Sequence, residues 1–207
     1  LAIVGKNGAG KSTLSNLICG FIHPDHGKIL LNGSDIADKS IKERGEAIGL
    51  VMQNPNQMIS KPMIFDEVAL GLRVRGVPEE EVKERVYDKL KICGLYPFRN
   101  WPVSALSFGQ KKRVTIASIL VMNPEILILD DSASALDFAT DAALRKSIRT
   151  MPNNPTVFIV SQRSASLMHA DKIIVLDDGE VAGIGTHTEL LENCEVYREI
   201  YNSQFKS

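Results

Sequence analysis

The chain has 207 residues, of which 44% are hydrophobic and 24% are charged, and its formal net charge is -1. This composition is typical of a globular protein, and the balanced charge excludes the broad basic field that recruits nucleic acid, so we expect no nucleic-acid partner. No apolar run approaches the roughly 18 residues that a membrane span needs, so we expect any membrane role to depend on a partner.

Strand and helix patterns alternate along the chain, which predicts an α/β fold with a mostly parallel sheet. The predicted strands are 1–4, 27–36 (with an Asn-Gly turn), 47–53, 125–129, 156–161, 172–178 and 180–185. The predicted helices are 12–19, 65–75, one from residue 79, one from residue 107, 138–149, a short one after 161, and C-terminal helices from residue 186. Because Leu1 already lies in an apolar strand, we expect one domain, 1–207, that is truncated at its N-terminus.

The first motif follows the first strand: "GKNGAGKST", residues 5–13, matches the phosphate-binding P-loop pattern. Its glycines let backbone N–H groups surround a phosphate, and the helix that follows adds its positive end. The nucleotide-binding residues predicted here are Gly5, Asn7, Gly8, Gly10, Lys11, Ser12 and Thr13. In such a loop the lysine reaches the β and γ phosphates of ATP, and the serine hydroxyl reaches Mg²⁺. A structural turn that only resembles a P-loop is the weaker alternative.

The second motif is "ILILD", residues 126–130. Continuous aliphatic residues indicate a strand that is buried on both faces, and Asp130 at its carboxyl end can face a metal ion bound at the P-loop. Alone, this aspartate would be read as a turn residue. Together, the two motifs predict a P-loop NTPase with a RecA-like core.

The third motif is "LSFGQKKR", residues 106–113, which is like the LSGGQ signature of ABC transporters with Phe108 in place of a glycine. With Gln53 at the end of a strand and "SALD" at 134–137, nearly the whole chain resembles the nucleotide-binding domain of ABC transporters. The resemblance implies a RecA-like core, 1–57 and 107–207, with an inserted helical subdomain, 58–106. It further implies a cytoplasmic domain located at the inner face of the cell membrane.

The resemblance also implies partners and site residues. A second ABC ATPase domain, identical or different, would pair head to tail with this one, and a transmembrane transporter subunit or domain would couple to the pair. Ser107, Gly109 and Gln110 would contact ATP held by the second domain, while Gln53 would sense Mg²⁺ and the attacking water. From the residues alone, Ser107 and Gln110 also fit a plain helix cap, and both roles are compatible.

Two positions depart from the family pattern. Family members that hydrolyse ATP place a glutamate after the metal-binding aspartate, and here that residue is Asp131. Its shorter side chain should align the water poorly. This matters because a well-positioned base contributes roughly 10²–10⁴ in rate. Gln162 stands where the family has a histidine, and an amide cannot become cationic. We predict an ABC-type ATPase with slow turnover at this site, with Lys11, Gln53, Asp131 and Gln162 as its catalytic residues.

The two parts of the chain resemble different branches of the family. Residues 1–129 are similar to ATPases of energy-coupling-factor importers, and residues 130–207 are similar to heterodimeric exporter domains. An engineered chimera would explain this mixture. Three further functions are compatible with a P-loop: a regulatory module that binds ATP without hydrolysing it, a small-molecule kinase, and a DNA-repair ATPase. The signature opposes the kinase, and the short helical insert opposes the repair ATPase.

Overall fold

A computed structural model describes residues 1–130, 138–151, 153–161, 168 and 170–205. The strands are β1 Ala2–Gly5, β2 Leu30–Leu31, β3 Ser34–Asp35, β4 Ile48–Val51, β5 Ile126–Asp130, β6 Thr156–Val160, β7 Ile173–Asp177 and β8 Glu180–Gly185. The α-helices are α1 Lys11–Cys19, α2 Ile41–Arg44, α3 Ile64–Val74, α4 Glu79–Ile92, α5 Phe108–Leu120, α6 Phe138–Arg149, α7 His187–Asn193 and α8 Glu195–Phe205. The predicted short helix after 161 falls largely outside the described residues.

Six strands form one mixed sheet in the order β4-β5-β6-β1-β7-β8. β1 pairs in parallel with both β6 and β7, whereas β8 returns antiparallel beside β7. This confirms the predicted α/β class with a mostly parallel sheet. Because β1 is an interior strand, the loop that follows it emerges at the carboxyl edge of the sheet, where ligands bind in folds of this type.

The chain divides into two compact units, and the proposed division into core and helical subdomain stays a prediction. The first unit comprises Leu1–Ile48, Ile128–Asp131 and Thr156–Ser207, and the second comprises Gly49–Leu127 and Ser132–Pro155. In the first unit, α7 and α8 cover β1 and β7. The buried cluster between them consists of Ala2, Val4, Ile173, Val175, Leu190, Cys194, Tyr197 and Ile200.

The second unit contains a helical core made by α3, α4 and α5, which pack against one another. Its apolar residues recur at helical spacing and are almost completely buried. The buried residues on these helices include Ile64, Val68, Leu72, Val82, Val86, Leu90, Val114, Ala117 and Leu120. Helix packing of this kind holds the start of α5 in a fixed position.

Side-chain caps begin three of the helices. The cap predicted at Ser107 is present as a capping box, and a second box begins α7 at Thr186. A third box, between Ser40 and Glu43, begins α2, a short helix that the sequence interpretation missed. The Ser-x-x-Glu spacing was a usable signal, but no apolar period accompanies it over four residues.

Arg44 anchors the end of α1. It is only 2% exposed, and its guanidinium donates to the carbonyl oxygens of Leu17 at 2.8 Å and Ile18 at 3.1 Å. It also donates to the carbonyl oxygens of Ala37 at 2.9 Å and Lys39 at 3.2 Å. A cation at a helix C-terminus satisfies carbonyls that lack partners in the helix.

Arg44→Met should lower the free energy of unfolding by about 2–4 kcal/mol, because it removes four charge-assisted hydrogen bonds to part-buried backbone carbonyl oxygens. Urea unfolding monitored by circular dichroism measures this change. Lys42→Met is the matched control, since Lys42 lies exposed on the same helix. Equal unfolding midpoints for the two variants would contradict the anchoring role.

In the part of the chain that the structure describes, no helix is both long enough and apolar enough to cross a membrane. The three cysteines are free and buried. Burial raises the pKa of Cys19 to about 11 and the pKa of Cys93 to about 12. Neither of these two thiols is therefore ionised near neutral pH, and both act as packing residues.

Candidate nucleotide site

The glycine-rich loop between β1 and α1 is shaped by a close backbone approach. A Cβ atom at Gly5 would overlap the carbonyl oxygen of Leu176 on β7 and lie 2.9 Å from the Cβ of Ala9. Gly8 and Gly10 have φ values of 85° and 95°, in the region that residues with a Cβ rarely adopt. The loop therefore requires glycine at three of its positions, for two different physical reasons.

Lys11 closes this loop from inside. Its Nζ donates to the carbonyl oxygens of Gly5 and Lys6, each at 2.8 Å, and the residue is only 8% exposed. The ammonium group is thus held inside the loop by two carbonyl oxygens at the start of that loop. A cation in this position can move from carbonyl oxygens to phosphate oxygens with little movement of the backbone.

Ser12 and Asp130 bring a hydroxyl and a carboxylate together. Ser12 Oγ donates to Asp130 Oδ2 at 3.5 Å, although 118 residues separate them in the sequence. Both belong to the first unit, at the start of α1 and the end of β5. Hydroxyl and carboxylate oxygens are ligands that Mg²⁺ accepts.

These residues fit Mg–ATP on three observations. The loop has no room for a side chain at Gly5, a buried ammonium lies inside it, and an oxygen pair lies at its edge. Among the described residues there is no cluster of three or more His, Cys, Asp or Glu side chains that could hold a metal. Mg²⁺ does not require one, because it usually binds through one or two protein oxygens plus phosphates and water.

The first-unit site also includes two exposed P-loop residues. Asn7 and Thr13 are both exposed, on either side of the buried Lys11 and Ala9. The structure thus brings together the predicted residues Gly5, Lys11, Ser12 and Asp130, with Asn7 and Thr13 at the rim. The other predicted residues that it describes, Gln53, Ser107, Gly109 and Gln110, belong to the second unit.

In the second unit, the signature segment begins α5. Ser107 is the N-cap: its backbone N–H donates to Gln110 Oε1 at 2.9 Å, and its Oγ accepts from Gln110 N at 3.3 Å. Phe108 is 53% exposed, with the Lys112 ammonium 5.7 Å from its ring centre. The substituted aromatic residue therefore leaves the cap intact.

Gln53 lies exposed at the start of a loop that is fixed at several points. The Met52 N–H donates to Met58 Sδ at 3.2 Å, and Lys111 Nζ, on α5, donates to Asn56 Oδ1 at 3.3 Å. Further along, the buried Glu67 carboxylate accepts from the N–H groups of Ser60 at 2.8 Å and Lys61 at 2.7 Å. The sequence interpretation missed Glu67, since an acid inside an apolar helical pattern looks like a surface residue until its partners are known.

Asp131 and Gln162, the two predicted catalytic residues that depart from the family pattern, lie outside the described residues. So does Asp137, the last residue of the "SALD" motif. Their proposed roles rest on the sequence.

Comparison with known proteins identifies the family. The model of the ABC transporter family matches residues 1–134. The chain belongs to the ABC transporter family. The similar proteins are named as ATP-binding proteins of that family.

Two similar proteins are putative ABC transporter ATP-binding proteins of Clostridium perfringens and Enterococcus faecalis. The first is 54% identical over 95% of this chain and 35% of its own length, and the second is 54% identical over 92% and 34%. The chain thus spans about a third of the length of the curated relatives that it matches.

Two solved structures share the fold over 99% of this ABC domain. A bacterial Atm1-family ABC exporter with ATP bound has a TM-score of 0.87 and 31% identity, and the match covers 36% of that chain. The cbiO1 protein from Clostridium perfringens, part of the ABC transporter complex cbiONQ, has a TM-score of 0.79 and 32% identity over 83% of that chain. Both the exporter and the energy-coupling-factor resemblance of the sequence therefore have a structural counterpart.

Asp130→Asn and Ser12→Ala should each weaken ATP binding at least about tenfold when Mg²⁺ is present, because each removes an oxygen that the metal uses. In EDTA the same variants should lose little affinity. Calorimetric titration with ATP under both conditions measures the difference.

The double variant should be about as weak as either single variant, because both residues act on one ion. Ser15→Ala is the control, since Ser15 is buried one turn further along α1 and its hydroxyl donates to the Lys11 carbonyl oxygen at 3.3 Å. Equal losses with and without Mg²⁺ would contradict the assignment.

Proposed function

We propose that this ABC domain binds Mg–ATP at the Gly5–Ser12 loop and drives transport through a membrane partner. The single observation that carries the proposal is the assembly of Lys11, Ser12 and Asp130 around a loop whose first glycine cannot be replaced. Lys11 would exchange its hydrogen bonds to the Gly5 and Lys6 carbonyl oxygens for bonds to phosphate. Ser12 and Asp130 would hold Mg²⁺, which when bound neutralises charge on the β and γ phosphates.

Pairing with a second ABC domain is the next part of the proposal. The start of α5 offers backbone N–H groups and the Ser107 hydroxyl at an exposed helix N-terminus, which attracts an anion. Ser107, Gly109 and Gln110 would therefore contact the γ phosphate of ATP bound by the partner, in a head-to-tail homodimer or heterodimer. The fixed loop that carries Gln53 would sense the nucleotide and Mg²⁺.

Slow hydrolysis at this chain's own site is proposed from Asp131 and Gln162. The carboxylate of Asp131 is one methylene shorter than that of the usual glutamate, and a displacement of about 1 Å costs about 10² in rate. Gln162 can donate to a phosphate oxygen but cannot carry a positive charge. The domain would hold ATP for long periods, and turnover would come mainly from a competent partner site.

The membrane partner and the location are proposed from the family and from one structural neighbour. That neighbour, cbiO1, is part of a transporter complex, cbiONQ. By analogy, this domain would act in the cytoplasm, bound to a transmembrane subunit or domain at the inner face of the membrane. An alternative is a regulatory module that binds ATP without hydrolysing it, and the substitutions at 131 and 162 favour it.

A chimera is not needed to explain the mixed resemblance. The match to the Clostridium perfringens protein is 54% identical over 198 residues, so it crosses residue 130, where the resemblance changes. One continuous protein thus aligns with both parts of the chain, which supports one continuous lineage.

Asp131→Glu should raise steady-state ATP turnover about tenfold or more, because the longer side chain places a carboxylate at the water, and Gln162→His should raise it further. Phosphate release at saturating Mg–ATP measures turnover. Asp131→Asn and Lys11→Ala are the controls for background hydrolysis. If Asp131→Glu leaves turnover unchanged, slow hydrolysis caused by the short acid is wrong.

A further inference from the structure

The phosphate loop is connected to the C-terminal helix by an ion pair. Lys6, the residue after Gly5, donates from Nζ to Glu199 Oε2 on α8 at 2.9 Å, although 193 residues separate them in the sequence. Lys6 occupies a variable position of the P-loop pattern, and Glu199 lies outside that pattern. The pattern by itself therefore does not require this contact.

Glu199 is presented by a helix that is firmly held. Tyr197 and Ile200, on either side of it, belong to the buried cluster that packs α8 against β1 and β7. Tyr197 Oη also forms a 2.8 Å hydrogen bond with His187 Nδ1 on α7. The Glu199 carboxylate thus has a rigid support, while the carboxylate itself and Lys6 both remain 57% exposed.

Lys6 connects α8 to Lys11, the buried lysine of the phosphate loop. The backbone carbonyl oxygen of Lys6 accepts from Lys11 Nζ at 2.8 Å, and the Lys6 ammonium binds Glu199. The hydrogen bond that Lys6 donates to Glu199, the negative charge of Glu199 and the charge of Asp177 hold the pKa of Lys6 above its usual value. The loop therefore carries two cations, one buried and one neutralised by acids of the first unit.

We propose that Lys6 is a second cation of the nucleotide site and that Glu199 masks it, so that α8 sets the affinity of the phosphate loop. The inference rests on the proposed binding of nucleotide at this loop. An unmasked ammonium one residue from Gly5 adds attraction for a bound diphosphate, because surface fields extend over a Debye length of about 8 Å at physiological salt. Pairing with a carboxylate cancels most of that attraction.

Titration calorimetry with Mg–ADP on the purified protein tests the inference, since this probe carries the phosphates that the loop contacts. Glu199→Gln should tighten binding about two- to fivefold, the range expected for an exposed ion pair, and the gain should disappear at 1 M salt. In a Lys6→Gln background the same substitution should change Kd less than about 1.5-fold.

Glu195→Gln is the matched control, because it removes the same charge from an exposed position one turn earlier on α8. It should leave Kd unchanged. If Glu195→Gln tightens binding as much as Glu199→Gln, or if the gain persists without Lys6, the masking role is wrong. A lower melting temperature of Glu199→Gln with an unchanged Kd would also overturn it, because the pair would then serve only to fix α8.

The two proposals fail in distinguishable ways. If the wild-type protein gives no binding heat with Mg–ADP or Mg–ATP, the proposed function is wrong. If the wild type binds and the ion-pair variants behave like their controls, only the masking role is wrong.

Discussion

The phosphate loop depends on the close approach of Gly5 to the backbone of β7. Gly5 ends β1 with its α-carbon so near the Leu176 carbonyl oxygen that no side chain fits between them. This approach makes the chain turn away from the sheet into the loop, and the loop then returns so that Lys11 can reach the carbonyl oxygens of Gly5 and Lys6. The positions of Lys11, Ser12 and the start of α1 depend on this contact between Gly5 and Leu176.

The Lys11 ammonium has two hydrogen-bond acceptors inside the phosphate loop. A buried ammonium without acceptors is costly, and here two backbone carbonyl oxygens accept from it. ATP would exchange these bonds for stronger bonds to anionic oxygens, so little reorganisation opposes binding. Preorganisation of this kind is the physical basis of the proposed binding of ATP at this loop.

The two units carry different candidate residues. The first unit contains the phosphate loop, Asp130 and the masking acid Glu199, whereas the second contains the Gln53 loop and the capped start of α5. In the second unit, Lys111 joins α5 to the Gln53 loop, and Glu67 fixes the same loop from α3. Lys111 and Glu67 thus hold the loop that carries Gln53 at two points.

The sequence alone determined the elements whose signals are local. Alternating apolar strands and amphipathic helices predicted the α/β class, and the spacing of glycines, lysine and serine predicted the loop, because these patterns reflect backbone conformation and burial within a few residues. Capping boxes at Ser107 and Thr186 were predictable for the same reason, whereas the four-residue helix at Ile41–Arg44 was too short to give a period.

Only the tertiary structure decided which distant residues meet. The motifs predicted that Asp130 faces the P-loop. By contrast, Lys6 with Glu199, Arg44 with the end of α1, and Glu67 with the backbone of Ser60 and Lys61 are pairs whose members look like ordinary polar residues in the sequence. Their partners are set by strand order and helix packing, which bring together side chains far apart along the chain. The sequence shows which chemical group a charged residue carries, but only the fold shows which partner that group contacts.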